Sequence, residues 1–238
     1  MIARCTQWAA TVVASVGLVI VVACEAPAVQ APDAVADALP GSDAAPSPSW
    51  PFPLPTTFPV PRLPPDTAFT PALAELGRHL FYDVRLSANQ TTSCASCHLQ
   101  AKAFTDGRVT PVGATGQVLR RNASTLTNAV YNPAQTWANP ILTSFEKQAL
   151  VPIFGEHPVE LGVTGHESEI LARFIGDSRY QALFAAAFPA VTEPVTMPNV
   201  VAAISAFERR LISGNSRVDQ YRQGNAAALN DSERRGLA

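Results

Sequence analysis

Two cysteines and a histidine stand close together in the segment Cys94-Ala95-Ser96-Cys97-His98. A redox-active disulfide could use the two thiols, but such motifs usually accompany a βαβ pattern, which this sequence lacks. A zinc site needs further ligands, and no second CxxC or paired histidine follows at suitable spacing. A covalent haem uses all three side chains, because one helical turn brings both thiols to neighbouring vinyl groups and directs the imidazole to the iron. The motif therefore predicts one haem c bound through Cys94, Cys97 and His98.

The ligand on the opposite side of the iron decides what such a haem can do. A histidine or methionine there would close the iron and suit it to electron transfer. The candidates are His79, His157, His166 and Met197. His157 is the strongest of the histidines, whereas Met197 stands at a helix start and is more simply a packing residue. A mono-haem electron-transfer cytochrome, with His98 and either Met197 or His157 on the iron, therefore stays an alternative.

The first 23 residues have the pattern of an export signal. Arg4 supplies a positive charge, and residues 9–23 are apolar and uncharged but too short for the ~20 residues of a membrane span. Val21-Val22-Ala23-Cys24 resembles the lipobox of bacterial lipoproteins, so we expect Cys24 to carry a lipid anchor; ordinary cleavage nearby is the alternative. Both interpretations predict a protein outside the cytoplasm, in the periplasm.

The next segment, residues 24–65, is rich in alanine and proline and holds 12 of the 21 prolines. Proline interrupts helices and sheet ladders, so we predict a disordered tether that extends up to ~3 Å per residue, with folding beginning near Asp66. The run Pro51-Phe52-Pro53-Leu54-Pro55 could bind a partner groove, although a spacer is the preferred interpretation. The formal net charge of −2 argues against a nucleic-acid partner, since such a chain repels phosphates.

Residues 66–238 carry mainly helical signals and show no alternating strand pattern of useful length. Val200, Ile204, Phe207 and Leu211 recur at helical spacing. Helix starts are predicted at four capping sequences: Thr70-Pro71, Asp177, Thr196 with Pro198, and Asn230 with Glu233. The fold class predicted is therefore mostly α, with long loops around the haem motif.

Beyond the haem motif, ordered sequence blocks resemble one family of haem proteins. The blocks are 76–83, 94–98, 103–107, 121–123, 131–135, 148–150 with 152–153, 158–160 and 205–209. They are similar to the bacterial di-haem cytochrome c peroxidases and to their relative MauG, which oxidises tryptophan in a partner protein. The segment Ala138-Asn139-Pro140 after Trp137, together with residues 155–162, resembles the MbnH branch, which is found beside copper-related genes and also acts on a partner's tryptophan.

The resemblance implies a cytochrome c-like haem domain, the first of two in the family, that uses hydrogen peroxide to oxidise an electron-donor protein or a tryptophan of a partner protein. It places Gln148, Pro152 and Glu160 in the distal pocket, where a buried carboxylate can move a proton and an amide can orient peroxide. It places Trp137 between the two haems as an electron relay. Asn122 matches a ligand of the calcium ion between the haems, although such a site needs further oxygen ligands.

Two departures from the family pattern shape these expectations. Peroxidases that need reductive activation carry a histidine in the loop after the first haem motif, but residues 105–122 contain none. The iron is therefore expected to be open, as in MauG. The family also has a second CxxCH domain, and residues 232–238 resemble the helix that leads into it. We therefore expect this chain, with one haem, to be part of a protein that carries two.

Overall fold

The computed structural model describes residues 50–64 and 69–237. Within these ranges the regular structure consists of α-helices and short 3-10 turns, and backbone pairing outside them is limited to isolated bridges. The helices are α1 (Pro71–Tyr82), α2 (Cys94–Cys97), α3 (Phe145–Phe154), α4 (Glu167–Ile175), α5 (Ser178–Ala187), α6 (Met197–Arg209), α7 (Arg217–Arg222) and α8 (Asp231–Leu237). The prediction of a mostly α domain is confirmed. The predicted signal peptide and Cys24 lie outside the described residues.

The four predicted helix starts coincide with α1, α5, α6 and α8. At α1, the Thr70 hydroxyl accepts a hydrogen bond from the Leu73 N–H at 3.1 Å, and Pro71 takes the first helical position, where no N–H is needed. At α8, the Asn230 and Glu233 side chains each accept a hydrogen bond from the other residue's backbone N–H, at 2.9 and 2.8 Å. These capping boxes and caps explain why the starts are readable from sequence.

The core lies where α1 packs on α6, and α5 also packs against α1. Gly77 of α1 lies directly over the carbonyl of Ala203 in α6, so closely that a Cβ at position 77 would approach that oxygen to 1.8 Å. The close approach lets Leu76, Leu80 and Phe81 of α1 become fully buried. Burial of such side chains contributes ~1.5–3 kcal/mol each, so this crossing holds the domain together.

The proline-rich segment immediately before α1 packs on the domain. The Trp50 and Phe52 rings lie 4.8 and 5.3 Å from the Phe69 ring, between centroids. The Arg210 guanidinium stacks over Phe52 at 4.9 Å. The folded region therefore begins earlier than the predicted boundary after residue 65, because aromatic side chains between the prolines bury apolar area that offsets the ordering of residues 50–64. The rest of the predicted tether lies outside the described residues.

A long loop, residues 98–144, connects α2 to α3 and contains two short 3-10 turns, Gln100–Lys102 and Ala129–Tyr131. Its inner side is anchored by Leu119 and Leu126, which are buried. The expectation of long loops around the haem motif is therefore confirmed. Among the described residues, no helix is long and apolar enough to span a membrane.

Candidate haem site

The two cysteines of the motif form a single helical turn, α2, whose start is fixed by a capping box. The Ser93 backbone N–H donates to the Ser96 hydroxyl at 3.0 Å, while the Ser93 side chain faces the N–H of residue 96. Cys94 and Cys97 are both free thiols and lie on the wall of one cavity. Burial raises the pKa of Cys97 to about 11 and also raises the pKa of Cys94. Redox-active thiols have lowered pKa values, so the environment does not favour a catalytic disulfide.

His98 follows α2 directly and is held by the backbone of the next loop. Its Nδ1 lies 2.7 Å from the carbonyl oxygen of Phe104, to which it can donate a hydrogen bond. The loop folds back through the pairing of Leu99 with Thr105, and Ala103 and Phe104 both adopt positive φ, 54° and 60°. A proton on Nδ1 leaves Nε2 free as a metal ligand, and burial lowers the pKa of His98, which favours the neutral ring.

The cavity beside the motif has a volume of about 400 Å³, within the range of ~300–1,000 Å³ that is usual for cofactor and ligand sites. Its wall is mainly apolar, with a few polar groups. It includes Cys94, Cys97, His98, Leu119, Leu126, Phe145, Gln148, Pro152, Glu160 and Glu208. Two thiols and one imidazole that line a single, mainly apolar cavity match the donor set of haem c, and these residues fit that cofactor.

The cavity lining also includes Gln148 and Pro152 from α3 and Glu160 from the segment that follows it. The Glu160 main chain is fixed by the Ala114 N–H, which donates to its carbonyl oxygen at 2.7 Å. Burial raises the pKa of the Glu160 carboxyl, and the described residues provide no hydrogen-bond partner for it. A raised pKa makes the carboxylate a stronger base, which suits this group to take a proton and return it. The three predicted distal residues therefore line the same cavity as Cys94, Cys97 and His98.

Trp137 and Asn122 lie together at the rim of the same cavity. The Trp137 indole N–H donates to the Asn122 carbonyl oxygen at 3.3 Å, and 64% of Trp137 is exposed to solvent. In the described part of the chain, no group of three or more His, Cys, Asp or Glu side chains is arranged to hold a metal ion. Asn122 as a calcium ligand therefore stays a prediction, as does the relay role of Trp137.

Glu208 is a cavity residue that sequence reasoning did not single out. It lies on α6, only 6% exposed, with Oε2 facing no hydrogen-bond partner among the described residues. Burial raises the pKa of Glu208 to about 8, whereas the adjacent Arg209 is neutralised by Glu146 at 2.6 Å. The sequence signal that could have identified it is its spacing. Glu208 follows Ile204 by four residues and so falls on the apolar face of the helix, where burial is expected.

The alternative iron ligands are not part of this wall. His157 is exposed and precedes the cis peptide bond to Pro158, and Met197 is packed in the core at the start of α6. His79 pairs with an acid on α1, and His166 lies exposed before α4. None of the four is among the described residues that line the cavity, so the structure offers no support for an iron closed by a second side chain.

Comparison with known proteins gives a consistent result. A family model described as di-haem cytochrome c peroxidase matches residues 71–227. Cytochrome c551 peroxidase of Pseudomonas aeruginosa is 35% identical over 164 residues, which are 68% of this chain and 46% of that protein. MauG of Methylophilus methylotrophus is 29% identical over 187 residues, which are 79% of this chain and 53% of that protein.

Among solved structures, a MauG-like protein associated with microbial copper homeostasis matches with a TM-score of 0.76 and 46% sequence identity, over 79% of this chain and 54% of that chain. The chain thus spans about half the length of the relatives it matches. The family match extends from α1 to the turn after α7 and includes every residue of the cavity wall described above. Fold, donor set and sequence agree that the chain belongs to the di-haem cytochrome c peroxidase family, which includes MauG.

Proposed function

We propose that this chain is the peroxide-reacting haem domain of an oxidoreductase that uses hydrogen peroxide to oxidise an electron-donor protein or a tryptophan of a partner protein. One observation carries the proposal. The Glu160 carboxyl, with its raised pKa, and the Gln148 amide line the same cavity as Cys94, Cys97 and His98. Haem attachment and proton transfer would therefore occur in one cavity, which is what peroxide cleavage requires.

In this proposal Cys94 and Cys97 bind the haem covalently, and His98 Nε2 ligates its iron. When bound, the haem supplies an open iron that binds peroxide and accepts its oxidising equivalents. The Phe104 carbonyl keeps the proton on Nδ1, which fixes the ring orientation and strengthens Nε2 as a ligand.

The distal residues handle the protons of the substrate. The Glu160 carboxylate takes the proton from one peroxide oxygen and returns it to the other, which leaves as water. The Gln148 amide N–H donates to a peroxide oxygen and holds it in line with Glu160. Pro152 has no N–H, so this part of α3 offers no competing hydrogen-bond donor. The overall balance is H₂O₂ plus two protons and two electrons to two waters. Acid–base assistance of this kind contributes ~10²–10⁴-fold to the rate.

The source of the electrons separates two versions of the function. Cytochrome c peroxidase relatives favour a donor protein, whereas the 46% identity to a MauG-like protein associated with copper homeostasis favours oxidation of a partner protein. We favour the second, with Trp137 as the relay at the cavity rim. The complete protein would then carry two haems, with a calcium ion near Asn122, and would be exported to the periplasm and anchored by a lipid on Cys24.

The proposal is tested with haem-loaded protein, the Glu160→Gln variant and the matched control Glu156→Gln, whose side chain is exposed. We expect a high-spin ferric spectrum in all three, and a spectral response to peroxide that is ~10²–10⁴-fold slower only in Glu160→Gln. A low-spin ferric spectrum would instead support the electron-transfer cytochrome. Equal peroxide rates in the three proteins would remove Glu160 from the mechanism.

Haem attachment is tested separately. The double variant Cys94→Ala with Cys97→Ala is expected to lose haem staining after denaturing electrophoresis, because axial ligation alone does not survive denaturation. A double variant whose denatured band still stains would refute covalent attachment through these thiols.

A further inference from the structure

A cluster of aromatic rings connects the His98 side of the site with the protein surface. The buried Phe81 ring lies 6.4 Å from the His98 ring and 5.3 Å from the Tyr82 ring, between centroids. Phe207, also buried, lies 5.0 Å from Phe81 and 6.2 Å from Tyr82. The Phe81–Tyr82 and Tyr82–Phe207 pairs meet edge-to-face, at 67° and 65°, whereas the Phe81–His98 and Phe81–Phe207 pairs are tilted, at 47° and 57°. The Phe81 ring therefore contacts both the His98 ring and the Tyr82 ring and links the two.

Tyr82 ends this cluster at the surface, where 42% of it is exposed. Its hydroxyl lies 3.5 Å from Oε1 of Gln100, in the 3-10 turn that follows the haem motif. A phenol is far easier to oxidise than the phenyl rings behind it, provided that its proton can leave. The exposed hydroxyl can release that proton to solvent, while the side-chain carbonyl oxygen of Gln100 can accept its hydrogen bond.

The other tyrosines lack this connection. Tyr131 contacts the ring of Phe58, and Tyr180 contacts Phe174 and Phe184 in the core. Tyr221 takes part in no ring contact among the described residues. Trp137, the other exposed oxidisable side chain at the site, lies on the cavity rim and not behind His98. Tyr82 thus reaches the surface through the ring that contacts His98, whereas the proposed relay Trp137 lies on the cavity rim.

We infer that Tyr82 is a second redox site, at which small aromatic one-electron donors of the phenol class deliver electrons through Phe81 and His98. The inference rests on the proposed function, which supplies peroxide as the oxidant. In each step Tyr82 loses one electron inward and its phenolic proton to solvent. The donor then returns one electron and one proton to Tyr82 and becomes a phenoxyl radical. Two such steps supply the two electrons that, with two protons, reduce one hydrogen peroxide to two waters.

The test combines radical mapping with donor oxidation in haem-loaded protein. A nitroso spin trap is added together with peroxide, and mass spectrometry locates the adduct along the chain. We expect an adduct on Tyr82 and its loss in Tyr82→Phe, together with loss of most peroxide-driven oxidation of a simple phenol. Tyr131→Phe is the matched control, with the adduct on Tyr82 and phenol oxidation both retained. Because Tyr82→Phe removes only one long, exposed hydrogen bond, the variant should fold.

The outcomes separate this inference from the proposed function. If peroxide produces no change in the haem spectrum of the unaltered protein, both are wrong. A spectral change without an adduct on Tyr82, or equal phenol oxidation in Tyr82→Phe and Tyr131→Phe, overturns the inference alone. An adduct confined to Trp137 would assign all external electron exchange to the cavity rim and would also overturn it.

Discussion

Glu208 should make the stability of the protein depend on pH, because burial raises the pKa of its carboxyl to about 8, from 4.5 in an unfolded chain. Between these values the folded protein binds a proton that the unfolded chain has released. Stability from this group is therefore fully present below about pH 4.5 and is lost as the pH rises through about 8. The slope is ~1.4 kcal/mol per pH unit, so the loss from about pH 5.5 to about pH 7.5 amounts to ~3 kcal/mol.

The perturbation is Glu208→Gln, which keeps the size of the side chain and removes its ionisation. The assay is urea unfolding of the haem-loaded protein at several values between about pH 5.5 and about pH 7.5. We expect the free energy of unfolding of the parent to fall by ~3 kcal/mol more than that of the variant. Glu156→Gln removes one acid at an exposed position and serves as the control. Its free energy of unfolding should change with pH as that of the parent does. Parallel pH profiles for parent and Glu208→Gln would refute the argument that the buried carboxyl is held neutral.

Three further substitutions test the frame around the site by thermal and urea unfolding. Gly77→Ala places a methyl group against the Ala203 carbonyl and should cost ~1–3 kcal/mol or prevent folding, so a variant as stable as the parent would contradict the helix crossing. Arg209→Met leaves Glu146 without its buried partner and should lower the free energy of unfolding by ~1.5–3 kcal/mol. If high salt made this loss much smaller, the ion pair would be a surface pair and not a buried one. Thr70→Ala removes the α1 cap and should cost ~1 kcal/mol, whereas Thr70→Ser should not.

Local signals made much of the fold readable from the sequence. The CxxCH segment sets its own geometry, because Cys94 and Cys97 need only one helical turn, and caps such as Thr70 and Asn230 act within three residues. The distal group was obtained from family resemblance, since nothing local to Glu160 says that Ala114 will fix its main chain beside the cavity. Its placement on the cavity wall agrees with that expectation, while its catalytic role awaits the kinetic test.

Features that depend on distant contacts were not predicted. The segment at residues 50–64 has the composition of a spacer, and its packing follows only from where Phe69 and Arg210 lie in the folded domain. Glu208 looks like part of an amphipathic helix until α6 is placed against α1, which turns its carboxyl toward the cavity. In both cases the sequence gives the apolar or charged group, and tertiary packing decides its environment.

The long loop between α2 and α3 has a consequence for the order in which the holoprotein is assembled. Part of the cavity is built from this loop, including Leu119 and Leu126, whereas the close contact at Gly77 is made between α1 and α6. Segments with few buried apolar side chains open at a lower free energy than packed helices do. The loop can therefore move aside while α1 and α6 remain packed, which would let a large planar molecule reach the two thiols of an already folded helical frame. Hydrogen exchange in the loop should accordingly slow when the haem is attached, while exchange in α1 and α6 is already slow beforehand.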